Sequence, residues 1–143
     1  MKKTVAPIAE PNITAEIIQQ PEIVADDDRG VIEKLAAGNY QSVLRITSKR
    51  GTVRANHYHK RDSHLCYLVR GKIEYWHQLV DTPQAPLEKI IITPGQLFYT
   101  PPLVAHAMHF LEDSEFYCFT TQPRSQAAYE EDIVRVTVFV PPA

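Results

Sequence analysis

No apolar run in this chain approaches the ~20 residues that cross a bilayer as a helix. A helical membrane protein is therefore excluded. No stretch is strongly basic with interleaved aromatics, and the formal net charge is -2, so a nucleic-acid footprint is not expected. The longest acidic run, Asp26-Asp27-Asp28, is too short for an interaction tail. Cysteine is nearly missing. Cys66 and Cys118 are the only two, and both sit in apolar, strand-like runs, HLCYLV and FYCFTT. They read as two buried free thiols of a cytoplasmic protein, with a disulfide between neighbouring strands as the alternative. The start, MKKTVAPIAEPNITAE, has two lysines, but Pro7, Glu10 and Pro11 break any apolar stretch, so no signal peptide is expected. Helical periodicity is also scarce. Its best candidate, IEKLAAGNY at 32–40, is cut short by Gly38.

Strand signals, by contrast, are frequent. Alternating or β-branched runs occur at 14–19, 42–48, 52–59, 65–69, 72–80, 88–93, 97–100, 105–110, 115–121 and 133–140. Turn chemistry separates them: Lys49-Arg50-Gly51, Arg70-Gly71, Thr82-Pro83-Gln84-Ala85-Pro86, Pro94-Gly95, Pro101-Pro102 and Glu112-Asp113-Ser114. Many short strands at close spacing predict an all-β sandwich or barrel. The length of 143 residues predicts one domain that buries roughly two-thirds of its unfolded surface. Residues 1–12 read as a flexible N-terminal arm and 13–143 as the single domain.

Three of the six histidines fall in HYHKRDSHLCYLVRG, residues 57–71. His57 and His59 are two apart, so on a strand they share a face. His64 opens the next run in phase with Cys66 and Leu68. A hairpin through 60–63 would bring the three rings together. His106 is in phase with Met108 and Phe110, whereas His109 has the opposite phase. His77 has no partner visible in sequence. A His-x-His pair on a strand is a metal signal, because neutral imidazoles on one face can chelate. Two unrelated surface histidines are the bland alternative.

The spacing resembles the cupin family. Its first motif, G-x5-H-x-H-x3,4-E-x6-G, is matched by Gly51, His57, His59, His64 and Gly71. Its second, G-x5-P-x-G-x2-H-x3-N, is matched by Gly95, Pro101 and His106. The resemblance implies a jelly-roll β-barrel, with metal ligands at His57, His59, His64 and His106. Three positions depart from the pattern: His64 stands for glutamate, Leu103 for glycine and Phe110 for asparagine. Four neutral donors would favour Zn, Ni, Fe or Cu over harder ions.

A second resemblance is to the sugar-nucleotide epimerase and ketoisomerase cupins. It rests on Asp28-Arg29-Gly30 and on Arg54-Ala55-Asn56-His57-Tyr58, with Ala55 where those families carry glycine. It implies that Arg54 binds the anionic part of a substrate and that His57 moves a proton. Those enzymes generally work without metal, which sets this resemblance against the metal site. From strand phase alone, Arg54 points away from His57 as an exposed charge. Tyr99 and Met108 are further candidates for a substrate pocket. Tyr129-Glu130-Glu131-Asp132 reads as a solvated turn, with Arg124 and Arg135 able to pair with its acids. No carboxylate in either motif is obviously placed to move protons, so no catalytic residue is assigned.

The expectation is a metal-binding protein acting on a small oxygen-rich metabolite, as a sugar or keto-acid isomerase or epimerase. An iron-dependent dioxygenase, or a non-catalytic binding protein with a structural metal, is the alternative. A homodimer is expected, because residues 13–24 offer an extended segment that can add to a neighbour's sheet.

Overall fold

The structure, a computed structural model, describes residues 17–142. Twelve strands and one helix follow in order: β1 (Ile18–Gln19), β2 (Glu22–Asp27), β3 (Gly30–Lys34), β4 (Ser42–Ser48), β5 (Val53–His59), β6 (His64–Arg70), β7 (Ile73–Leu79), β8 (Glu88–Ile92), β9 (Leu97–Thr100), β10 (Val104–Phe110), β11 (Ser114–Thr120), α1 (Gln126–Asp132) and β12 (Ile133–Arg135). Two five-stranded antiparallel sheets, ordered β1-β9-β6-β11-β4 and β12-β5-β10-β7-β8, form a jelly-roll barrel. Strands β2 and β3 make a separate hairpin.

Period-2 patterning builds the barrel. In β11, Ser114, Phe116, Cys118 and Thr120 are buried while the residues between them are partly open. β7 alternates in the same way through Ile73, Tyr75 and His77. The inward faces bury Leu68, Ile73, Ile92, Phe98, Phe110 and Phe116 almost completely. Each contributes about 1.5–3 kcal/mol relative to exposure. Phe116 packs between Phe98 and Phe110, with ring centroids 5.8 and 6.0 Å away. Gly71, with φ of 104°, lets the chain turn against Ser114. A Cβ there would lie 2.6 Å from the Ser114 Cα, a contact no side-chain rotation relieves.

The structure corrects four readings of the sequence. Residues 32–40 are not helical, because β3 runs to Lys34 and the rest is irregular. The β-branched pair Val31-Ile32 is claimed by the ladder with β2, across a turn in which Asp27 accepts from the Arg29 backbone N–H at 2.8 Å. Residues 60–63 are not a hairpin turn. β5 pairs with β10 and β12, while β6 pairs with β9 and β11, so the segment crosses from one sheet to the other. Its backbone is satisfied by α1 instead of a two-strand ladder: Lys60 N–H donates to the Asp132 carbonyl, and Arg61 and Asp62 N–H donate to the Asp132 carboxylate. The last strand ends at Arg135, and 136–139 hang on Asn56, whose Oδ1 accepts from Val138 and Phe139 N–H. Finally, 126–132 is a helix. Ser125 caps it by accepting from Ala128 N–H at 3.2 Å, an N-cap signal that was present in the sequence. The arm at 1–12 lies outside the described residues.

Candidate functional site

The barrel sets His57 directly opposite His106, and His106 directly opposite His77, in a row across β5, β10 and β7. His59 stands at the end of β5 and His64 at the start of β6. Ring centroids lie 4.8 Å apart for His57–His59, 4.9 Å for His57–His106 and 4.4 Å for His59–His64. Four imidazoles therefore gather, but in two arrangements. Nitrogens of His57, His59 and His106 lie within 4.8 Å of one another, and those of His59 and His64 group separately with Asp62.

Hydrogen bonding distinguishes the two sets. His106 Nδ1–H donates to the Val104 carbonyl at 2.9 Å, and His59 Nδ1 meets the Asp132 carboxylate at 3.0 Å. His57 Nδ1 lies 3.3 Å from the Tyr129 hydroxyl. Among the described residues, no hydrogen bond engages Nε2 of these three rings, and the His59 Nε2 is buried without a partner. In His59 and His106, Nδ1 donates to an oxygen behind the ring and Nε2 keeps its lone pair, which is how metal-ligating histidines are oriented; His57 takes the same form when its Nδ1–H donates to the Tyr129 hydroxyl. Burial, reinforced by the neighbouring imidazoles, drives their pKa values down: His57 to about 3, His59 to about 4, and His106 well below its ordinary value. All three are neutral donors at neutral pH.

His64 behaves in the opposite way. Its Nε2 is taken by Asp62 at 2.8 Å, and its side chain also bonds Cys118. Burial disfavours the charged ring, but these partners outweigh it and lift the pKa to about 9. Asp62 is also nearly buried, and that raises its pKa. Hydrogen bonds from His64, from Thr121 and from Gln122 N–H outweigh burial and keep the carboxyl below its usual range. Beyond His64, the Cys118 thiol is pushed down by hydrogen bonding to Cys66 and His64, while burial pushes Cys66 up.

A cavity of about 490 Å³ opens over these groups, lined by His57, His64, His106, Met108, Cys66, Cys118, Tyr129 and three arginines, Arg45, Arg54 and Arg124. Among the described residues, no carboxylate lines it. Arg45 pairs with Glu115 at the surface. Among the described residues, Arg54 bonds only Ser48 Oγ and the Thr47 carbonyl, and Arg124 stacks 3.7 Å over the Tyr129 ring with its Nε buried and unbonded.

Sequence phase had Arg54 pointing away from His57. A bulge corrects that. Ala55 and Asn56 both adopt left-handed φ, 73° and 55°, and the register with β10 slips there, so Arg54 pairs with Met108 on the cavity side. Tyr99 is half-buried between the inward-facing Phe98 and Thr100 and is not part of the cavity wall. Asp28-Arg29-Gly30 sits at the exposed β2–β3 turn, with Arg29 paired to Asp27, and not in the cavity. The segment 129–132 is no solvated turn: Asp132 is buried against His59, Tyr129 faces His57, and Arg124 joins the cavity wall instead of a surface ion pair. Only Arg135 pairs as expected, with Glu130.

A family model described as cupin matches residues 34–135. The chain belongs to the cupin family. No curated protein matches the sequence. This cupin is similar in fold to the dTDP-4-dehydrorhamnose 3,5-epimerase of Sulfolobus tokodaii, with 19% identity over 88% of this chain and 80% of that one, at a TM-score of 0.68. It is also similar to the sugar 3,4-ketoisomerase QdtA of Thermoanaerobacterium thermosaccharolyticum, solved with TDP, with 17% identity over 82% and 85% and a TM-score of 0.64. A third is the dTDP-6-deoxy-D-glucose-3,5-epimerase of Legionella pneumophila, solved with dTDP-4-keto-L-rhamnose, with 17% identity over 82% and 70% and a TM-score of 0.64. At these identities the likeness shows the fold. No helix among the described residues is long and apolar enough to cross a membrane.

Proposed function

We propose that this cupin holds a divalent transition metal, Zn, Ni, Fe or Cu, on His57, His59 and His106. We further propose that it isomerises or epimerises a small anionic keto metabolite, sugar-derived in view of the ligands named for the similar structures. The observation that carries the reading is the donor set. Three neutral imidazoles are each anchored through Nδ1, and one Nε2 is buried with nothing to bond. An orphaned buried nitrogen costs about 1–3 kcal/mol, and a metal relieves that cost. We leave the fourth imidazole of the family pattern, His64, outside the proposed set, a choice supported by the Asp62 carboxylate on its Nε2. When bound, the metal supplies a Lewis acid that polarises a carbonyl oxygen and acidifies the neighbouring C–H.

The chain's own residues do the rest. Arg54 and Arg124, neither with a carboxylate partner among the described residues, hold the anionic end of the substrate. Met108 supplies an apolar wall. With no carboxylate in the wall among the described residues, proton movement falls to the Tyr129 hydroxyl beside His57. A homodimer belongs to the same proposal. The β2–β3 hairpin exposes Ile23, Val24, Val31 and Ile32, the last at 61%, and pairs with neither large sheet.

Chelator-treated protein titrated with each of the four metals, then incubated in deuterated water with nucleoside-diphosphate keto-sugars, tests the reading. Metal-dependent deuterium uptake beside the carbonyl is the expected result. A metal coordinated with no solvent-derived ligand, and no uptake, would overturn catalysis in favour of a structural pin.

A further inference from the structure

Cys66 on β6 and Cys118 on β11 are register partners on adjacent antiparallel strands. Both are free and both are buried. Directly opposed residues in such a ladder have Cα atoms about 4.5–5.5 Å apart, inside the ~4.4–6.8 Å range of disulfides. Their orientation also fits. Cys118 shares the inward phase of Phe116 and Thr120, and Cys66 that of Leu68, so both Cβ atoms point to the same side of the sheet. Both sulfur-bearing side chains line the cavity shared with His57, His64 and His106.

We propose that Cys66 and Cys118 are a redox modification site, closed to an intramolecular disulfide by a hydroperoxide small enough to enter the cavity. Cys118 is the attacking sulfur and Cys66 the resolving one. Its S–O bond forms as the O–O bond of the hydroperoxide breaks, and an alcohol or water leaves, giving a sulfenic acid. The Cys66 sulfur then attacks, the S–S bond forms, the S–O bond breaks and water leaves. Two thiols are oxidised by two electrons and one hydroperoxide is reduced by two. The disulfide ties β6 to β11 in the cavity wall and removes the thiol that bonds His64. This inference stands apart from the metal and from the reaction proposed above.

The test treats the intact protein with hydrogen peroxide, quenches, alkylates under denaturing conditions and maps peptides without reductant. Both thiols should be lost together, with a Cys66–Cys118 link inside one chain that dithiothreitol reverses. A bulky aromatic disulfide reagent should reach neither thiol in the folded protein. In Cys66→Ala, the reaction should stop at a Cys118 sulfenic acid that a cyclic dione traps. If that variant does not fold, the wild-type peptide map decides alone. Two thiols still open to alkylation after an equal concentration of a model thiol has been consumed would overturn the proposal. So would oxidation to sulfinic acid without a link, or links only between chains.

Discussion

His59 and His64 each answer to a buried carboxylate, yet through different nitrogens, and their chemistry diverges accordingly. Asp132 takes the Nδ1 side of His59 and leaves Nε2 bare, whereas Asp62 takes Nε2 of His64. Asp132→Asn is therefore expected to lower metal affinity by roughly 10–100-fold, read by titrating metal into chelator-treated protein. His64→Gln should leave affinity in the same order of magnitude, and His109→Ala should do nothing, since that ring faces outward onto Glu74. A fall in the His64 variant as large as that for Asp132→Asn would restore a four-imidazole site. Protonation separates the rings too. In metal-free protein, His64 has a folded pKa of about 9 against an ordinary 6.5. Its contribution, a few kcal/mol at most, is full below pH 6.5 and lost as pH rises to 9. His57 and His59 are depressed to about 3 and 4, so the unfolded chain takes up protons first, and stability falls as pH drops below 6.5. Urea midpoints should fall as pH drops below 6.5, whereas above it the lowered Cys118 thiol opposes the loss from His64 and the alkaline limb should be shallow; His64→Gln should soften the acid limb, because the charged ring helps depress His57 and His59.

Among the elements, β5 carries the device that aims the site. Its bulge spends two residues in left-handed backbone, Ala55 and Asn56, and a third such residue, Leu103, precedes β10. Ala55 and Leu103 stand where the family patterns put glycine. The backbone has kept the glycine conformation, so the side chains bear the strain, about 1–2 kcal/mol for an L-residue. Ala55→Gly and Leu103→Gly should each raise stability by up to about 1 kcal/mol, less whatever glycine's greater unfolded-state freedom takes back. Chemical denaturation measures this directly, and a loss of stability in both would refute the strain. Asn56→Ala should act in the other direction. It removes the acceptor that holds Val138 and Phe139 N–H and the donor to the Phe139 carbonyl, leaving a C-terminal segment whose Phe139 stacks on Trp76 at 4.9 Å.

For the whole molecule, the β2–β3 hairpin is the element that a single chain does not explain. A two-stranded hairpin is marginal by itself in water, and this one exposes four branched apolar side chains. The proposed dimer covers them with a second copy. Sedimentation should give twice the 16.3 kDa chain mass, and the double variant Ile23→Lys, Ile32→Lys should run as a monomer with its barrel intact. A wild-type monomer at micromolar concentration would remove the dimer and leave the hairpin's exposed apolar side chains for another partner.

The sequence by itself determined the barrel and the gathering of histidines, because strand phase is a local property with a period of two. Leu68, Phe116 and Ile73 point inward for that reason alone, and His57 and His106 share their face with apolar neighbours. Three things escaped it. The bulge at Ala55-Asn56 set the still exposed Arg54 on the cavity side, and no residue there is the glycine that would have marked it. The crossing at 60–63 depends on Asp132, some seventy positions away in the chain, whose carboxylate satisfies a corner that looked like a hairpin. And His64 looked equivalent to His57 and His59 until Asp62 was seen on its Nε2. Which nitrogen of a ring is occupied is set by partners brought in from other strands, and only tertiary structure supplies those.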